Sequence, residues 1–276
     1  LLTPDSTSAA VTPPARHSEQ NFFSLVEQNY GTRPQALQGG AKDKTEINDW
    51  VSQQTGAKVQ SILTKALPRS PGVTAITASY FKGKWVTRFG SSGALAQFQI
   101  DGAPSVQVPM MQQDNYPIKI GIDSDLSCTI AELPLQDGLS MYLFLPDAVT
   151  SNMTAVEDAL TAEFVQDLSM TMLPAQVSLS LPSLRLAYST ELLPLLPDLG
   201  RHRFGAISSQ PVKLNTAAHK AVLETAPEGL QYAPDAAYPT ALTYHVDRPF
   251  LFLIRDQSTG ALLFIGRITN PKLLRA

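Results

Sequence analysis

Four histidines, one cysteine and two close pairs of carboxylates are the groups with which this 276-residue chain could do chemistry. His17, His202, His219 and His245 lie far apart, and no two share the short spacing with which one helix or turn presents two imidazoles to a metal. The single Cys128 can complete neither an intramolecular disulfide nor a thiolate zinc site. It sits in the alternating run LSCTIAEL, which predicts a small buried apolar side chain and not a nucleophile. Asp123/Asp125 and Glu157/Asp158 have the spacing of turn and cap residues, whereas acid–base work needs two carboxyls converging on one substrate. The chain carries no phosphate-cradling glycine loop, no HExxH and no GxSxG elbow, and FGSSG (Phe89 to Gly93) reads as a plain turn. No enzyme activity, metal or cofactor is therefore expected, and binding chemistry is what remains.

Three sets of residues suit binding or modification. Asp123 and Asp125 in DSDLSC put two carboxylates on one turn, a patch that can pair with Lys or Arg of a partner; an ordinary Asx turn between strands accounts for them equally well. Lys58, Lys65 and Arg69 follow an expected helix and could meet the sulfates of a polyanion, although a solvated surface is the simpler reading. Asn152-Met153-Thr154 is an N-glycosylation triplet placed on an expected surface turn. The bulk numbers limit the partners. A formal charge of −3 gives no drive toward nucleic acid or an anionic membrane, and no apolar run reaches the ~20 residues of a spanning helix.

Many strands and few helices must position these groups. NFFSLVEQNY (Asn21 to Tyr30) has helical apolar spacing, with Gly31 as its stop. Asp43 and Glu46 have the spacing of a capping box before a helix whose Ile47, Trp50 and Val51 share a face. Strands are expected at Val73–Phe81, on either side of Asp101-Gly102, at Tyr116–Ile122, Cys128–Leu133 and Leu139–Leu145, and along Gln176–Tyr188 with a bend at Pro182. Pro211–Glu224 is another, and Phe250–Arg255 with Leu262–Ile268 reads as a closing hairpin. Thr154–Leu168 reads as one or two helices. The pattern is α+β with large antiparallel or mixed sheets. Residues 1–20, rich in Pro, Ser, Thr and Ala, read as a flexible lead-in to one domain over residues 21–276.

Several stretches, in order along the chain, resemble the serpin family: INDWV (Ile47 to Val51), YFKGKWVTRF (Tyr80 to Phe89), HKAVLETAPEG (His219 to Gly229), YHVDRPFLFLI (Tyr244 to Ile254) and TGALLFIGRITNP (Thr259 to Pro271). YGTRP, VPMM, DSDLSC and IAELPL are similar to a secreted, non-inhibitory branch of it. The resemblance implies a serpin fold, large mixed β-sheets with short helices, here matched without the family's N-terminal helices and about two of its strands. It implies a secreted, extracellular glycoprotein with anti-angiogenic and neurotrophic signalling through a cell-surface receptor. It also implies collagen or another matrix protein as partner at Asp123 and Asp125, and glycosaminoglycan binding, whose strongest basic run lies in the part not matched here, so that Lys58, Lys65 and Arg69 are candidates by their charge alone. Trp85 and His219 match structural positions of the family, with Thr77 where an asparagine usually partners that histidine.

The same likeness places a reactive-loop region at Gly229, Leu230, Gln231, Tyr232, Ala233, Pro234 and Pro239. In inhibitory serpins a protease cuts this loop, and its first half then inserts as a strand in the middle of the main sheet. An inserted strand must donate hydrogen bonds on both sides, which proline cannot do. Pro234 should cost on the order of 3 kcal/mol there, by analogy with its cost in a helix. Pro239 adds a second break, and the loop from Gly229 to Phe250 is shorter than in inhibitors. A non-inhibitory member is the expectation, with a serine-protease inhibitor acting by loop insertion as the alternative.

Overall fold

A computed structural model of the chain describes residues 6–12, 18–31, 34–70, 72–150, 153–199, 212–234 and 242–272. Asn152 and Pro239 lie outside them. The chain divides into two compact units, Leu1–Phe81 with Leu186–Leu223, and Lys82–Arg185 with Glu224–Ala276. The strands β3 (Val73–Thr87) and β10 (Leu214–Gln231) each have residues in both units.

In the first unit, helix α1 (Ser18–Tyr30) ends where expected, at Gly31, whose φ of 67° lets its N–H turn back to Glu27 O at 2.9 Å. Helix α2 (Ala41–Gln54) starts two residues before the expected capping box, and no side chain caps it. That reading is corrected. Gly39 and Gly40, at φ 79° and 102°, turn the chain so that buried Asp43 Oδ2 accepts the Gly39 N–H at 2.6 Å. Ile47 and Val51, one turn apart, then pack in a cluster with Ile76 and Ala78 of β3 and Ala218 and Val222 of β10. Burying a side chain of this size contributes about 1.5–3 kcal/mol.

The lead-in reading is also corrected. Ser6–Thr12 forms strand β1, antiparallel to β3 from Ser6↔Ser79 to Val11↔Thr74 and parallel to β2 (Gln35–Ala36). Small residues between prolines have linker composition, but a neighbouring strand satisfies their backbone groups, and that pairing overrides composition. The five-stranded sheet has the order β2-β1-β3-β10-β9, with β9 spanning Arg185–Glu191.

The second unit holds a mixed eight-stranded sheet. Its order is β11 (Thr243–His245), β8 (Leu173–Pro182), β5 (Ala103–Asp123), β6 (Cys128–Pro134), β7 (Leu139–Pro146), β12 (Phe250–Asp256), β13 (Leu262–Ile268), and β4 (Ser91–Ile100) also pairs with β5. The expected meander and closing hairpin are present. β5 joins the pieces that the sequence separates, across a register shift between Gln113 and Tyr116 where Asn115 takes φ 54°. The run expected over Gln176–Tyr188 splits after Pro182, so that β8 and β9 lie in different sheets. Helices α3 (Met153–Ala159) and α4 (Ala162–Thr171) give Met153, Val156 and Val165 to a core with Ile130, Phe144 and Leu253. Glu132, buried on β6, accepts from Lys119 Nζ at 3.2 Å and Ser140 Oγ at 3.0 Å, so its charge is not left alone.

Replacing Asp43 by Ala leaves the Gly39 N–H without its acceptor beside a buried helix start. The expected loss is about 1–3 kcal/mol in a urea melt. An unchanged melt would show that the Asp43 carboxylate does not hold this turn.

Candidate functional site

β3 and β10 are parallel neighbours: Val73 N donates to Lys213 O at 2.8 Å near their starts, and Arg88 N to Gln231 O at 2.8 Å near their ends. The chain leaving β10 is the segment in which the sequence places the reactive loop. β10 runs on to Gln231, so Gly229, Leu230 and Gln231 are strand, and the loop reading is corrected to begin at Tyr232. Glycine permits this. A Cβ on Gly229 would lie 2.5 Å from Arg88 N and 2.7 Å from Arg88 Cα, so any larger residue would push β10 off the end of β3. Tyr232, Ala233 and Pro234 follow without regular structure, and Tyr232 and Pro234 are exposed.

The end of β3 is held firmly from below. Trp85 is fully buried and its indole donates to Ala226 O at 2.7 Å. Its ring meets Phe89 edge-on at 5.5 Å, and Phe89 stacks on Tyr116 at 4.8 Å. The Tyr116 hydroxyl donates to Thr87 O at 2.6 Å, and burial pushes its pKa above the ordinary phenol range. Phe89 N donates to Pro227 O at 3.0 Å. Above this base Arg88 is half-buried, with its guanidinium 3.9 Å from the Tyr232 ring centroid. YFKGKWVTRF signals the strand, but the Arg88–Tyr232 contact joins residues too distant in sequence for any local pattern to show it.

The other candidates are spread out. Asp123 is half-buried and its Oδ1 accepts the Leu126 N–H at 2.9 Å, which is the Asx turn between β5 and β6; Asp125 beside it is exposed. Lys58, Lys65 and Arg69 are exposed in the first unit, with Lys58 Nζ 5.5 Å from the Tyr80 ring centroid. Folding adds two lysines that the sequence reading missed. Lys44 Nζ donates to Thr64 O and Lys220 Nζ to Ser61 O, each at 2.8 Å, on the segment joining Lys58 to Lys65. His219 is half-buried on β10, and burial lowers its imidazole pKa, which keeps it neutral near pH 7. Cys128 is buried, and desolvation, with smaller contributions from Asp123 and Asp147, pushes its thiol up to about 12.

One cleft of about 400 Å³ brings Ser178, Asp114 and His245 together with Ser91, Gln112 and Ser180. The residue types are those of a nucleophilic triad, but Ser178 Oγ donates directly to Asp114 Oδ1 at 2.6 Å. That hydroxyl hydrogen faces the carboxylate and not an imidazole, so this is not a charge-relay geometry. Among the described residues no group of three or more His, Cys, Asp and Glu could hold a metal.

Comparison with known proteins agrees with this architecture. The chain is 37% identical over 267 residues to human pigment epithelium-derived factor, covering 92% of this chain and 64% of that protein. It thus spans a little under two thirds of the length of that curated relative. Mouse protein-Z dependent protease inhibitor superposes with a TM-score of 0.85 at 23% identity, over 96% of this chain and 73% of that one. Native protease nexin-1, solved with heparin, superposes with a TM-score of 0.82 at 25% identity, over 97% and 76% of the two chains. The family described as serpin (serine protease inhibitor) matches residues 6–271. With its parallel β3 and β10, its two sheets and a match along nearly its whole length, the chain belongs to the serpin family.

Proposed function

We propose that the chain is a secreted, non-inhibitory serpin that binds extracellular matrix and cell-surface partners, with anti-angiogenic and neurotrophic signalling as the biological output. The observation that carries the non-inhibitory half is Pro234. Parallel β3 and β10 leave room between them for one antiparallel strand folding back from the end of β10, and such a strand would bond to both neighbours. Pro234, two residues beyond the strand-to-loop junction at Tyr232, has no N–H to give. Insertion would also break the direct bonds Arg88 N–Gln231 O and Phe89 N–Pro227 O.

The matrix half rests on the exposed acid of the DSDLSC turn and on the 37% likeness to pigment epithelium-derived factor. Asp125 carries the charge toward a basic partner such as collagen, and Asp123 shapes the turn that presents it. For a sulfated glycosaminoglycan the support is the segment Lys58–Arg69 with Lys44 and Lys220 bonded onto it, together with a neighbour solved with heparin. The second reading, a serine-protease inhibitor trapping its target by loop insertion, is favoured by the family description and by the protease inhibitor among the solved neighbours.

Incubation with trypsin- and chymotrypsin-like proteases separates the two readings. Loop cleavage without an SDS-stable complex is expected, and a stable covalent complex establishes the inhibitor instead. Changing both Asp123 and Asp125 to Asn keeps a side-chain carbonyl available to Leu126 N and removes both charges. Collagen binding should fall about tenfold, since each of the two solvent-screened carboxylates contributes up to ~1 kcal/mol; equal binding removes the turn from the site. Replacing Lys58, Lys65 and Arg69 together by Ala should weaken heparin binding by a similar factor and flatten its salt dependence. Elution from a heparin column at unchanged salt would rule this surface out.

A further inference from the structure

We propose that Arg88 is a positioning residue that latches the start of the exposed loop onto the end of β3. The proposal rests on the loop reading above and concerns how that loop is held. One residue supplies two contacts to successive residues, the last of β10 and the first of the loop. The Arg88 N–H donates to Gln231 O at 2.8 Å, and the Arg88 guanidinium lies 3.9 Å from the centre of the Tyr232 ring. The chain therefore cannot leave the sheet at Gln231 without losing both.

The chemistry around the pair fits a latch. Arg88 makes no salt bridge to a carboxylate among the described residues, so its charge is not directed elsewhere by a closer partner. Tyr232 is 74% exposed, so its ring adds nothing to a core, and stacking on the guanidinium is what it does contribute. Gly229 makes the latch reachable: without a Cβ, the β10 backbone lies close enough to Thr87 and Arg88 for Gln231 and Tyr232 to land on them. Trp85, Phe89 and Tyr116 hold the β3 end rigid, so the anchor does not move with the loop. The latch thus ends at Tyr232, two residues before Pro234. While the latch holds, Leu230, Gln231 and Tyr232 stay against the end of β3 and are not available to a hairpin by which the chain could fold back.

Amide hydrogen exchange tests this on the full chain, because the exchanging hydrogen of Arg88 is the one bonded to Gln231 O, while that of Phe89, bonded to Pro227 O, is an internal reference. An exposed cation–π contact corresponds to about a two- to fivefold change in an opening equilibrium. Tyr232→Ala should raise exchange at Arg88 by that factor relative to Phe89, and Tyr232→Phe, which keeps the ring, should leave it near wild type. Arg88→Ala should raise exchange at the residue 88 amide by a similar factor, and Arg88→Lys should recover part of the protection. Exchange at Arg88 that is the same in Tyr232→Ala as in wild type, or equally fast in the Phe and Ala variants, overturns the latch. The non-inhibitory reading is judged separately on the wild-type chain. A stable protease complex there would sink that reading and leave the exchange result standing, and a flat exchange result would sink the latch and leave that reading standing.

Discussion

The approach of β10 to β3 at Gly229 is the constraint on which the loop-bearing end of these two strands depends. Two parallel strands with direct hydrogen bonds are held close because one residue has no side chain. That closeness carries β10 past the point where the loop would otherwise begin and brings Gln231 and Tyr232 onto Arg88. It also fixes what insertion would require: a rearrangement of the strand end against which Trp85, Phe89 and Tyr116 pack.

Much of this was legible in the sequence for identifiable physical reasons. Period-two runs such as LSMYLFLP and FLFLIRD, and the stop at Gly31, carry their signal within a few residues, and those elements stand where they were expected. What local reading missed depends on partners far along the chain. STSAAVT becomes a strand because β3 offers it an edge to pair with. Asp43 looks like a cap, yet two glycines with positive φ turn the chain so that it accepts from Gly39. Lys44 and Lys220 join the Lys58–Lys65 segment through carbonyls that no spacing rule marks.

The candidate sites show the same division. The acidic turn is a local object, and DSDLSC was sufficient to expect both its Asx geometry and its exposed charge. The loop junction is not local. HKAVLETAPEG identifies the strand, but where that strand ends is decided by the end of β3, where Arg88 N donates to Gln231 O and the Trp85 indole, 141 residues before Ala226, donates to the Ala226 carbonyl. Prolines mislead in both directions. Pro227 lies inside β10 and its carbonyl serves the sheet, whereas Pro182 closes one strand and sends the chain to another sheet.

That crossing after Pro182 has a mechanical meaning. Leu184 N donates to Thr225 Oγ1 at 2.8 Å, and Thr225 N donates back to Leu184 O at 2.9 Å, so the crossover is riveted to β10 in both directions. β8 leads straight into that rivet and is itself laddered to β5 from Met110↔Pro182 to Ile120↔Leu173. A pull on the loop is thus not confined to the strand from which the loop emerges. The load passes from β10 through Thr225 into the crossover and is shared along the length of β8, and the anchorage of the loop is that of a whole sheet.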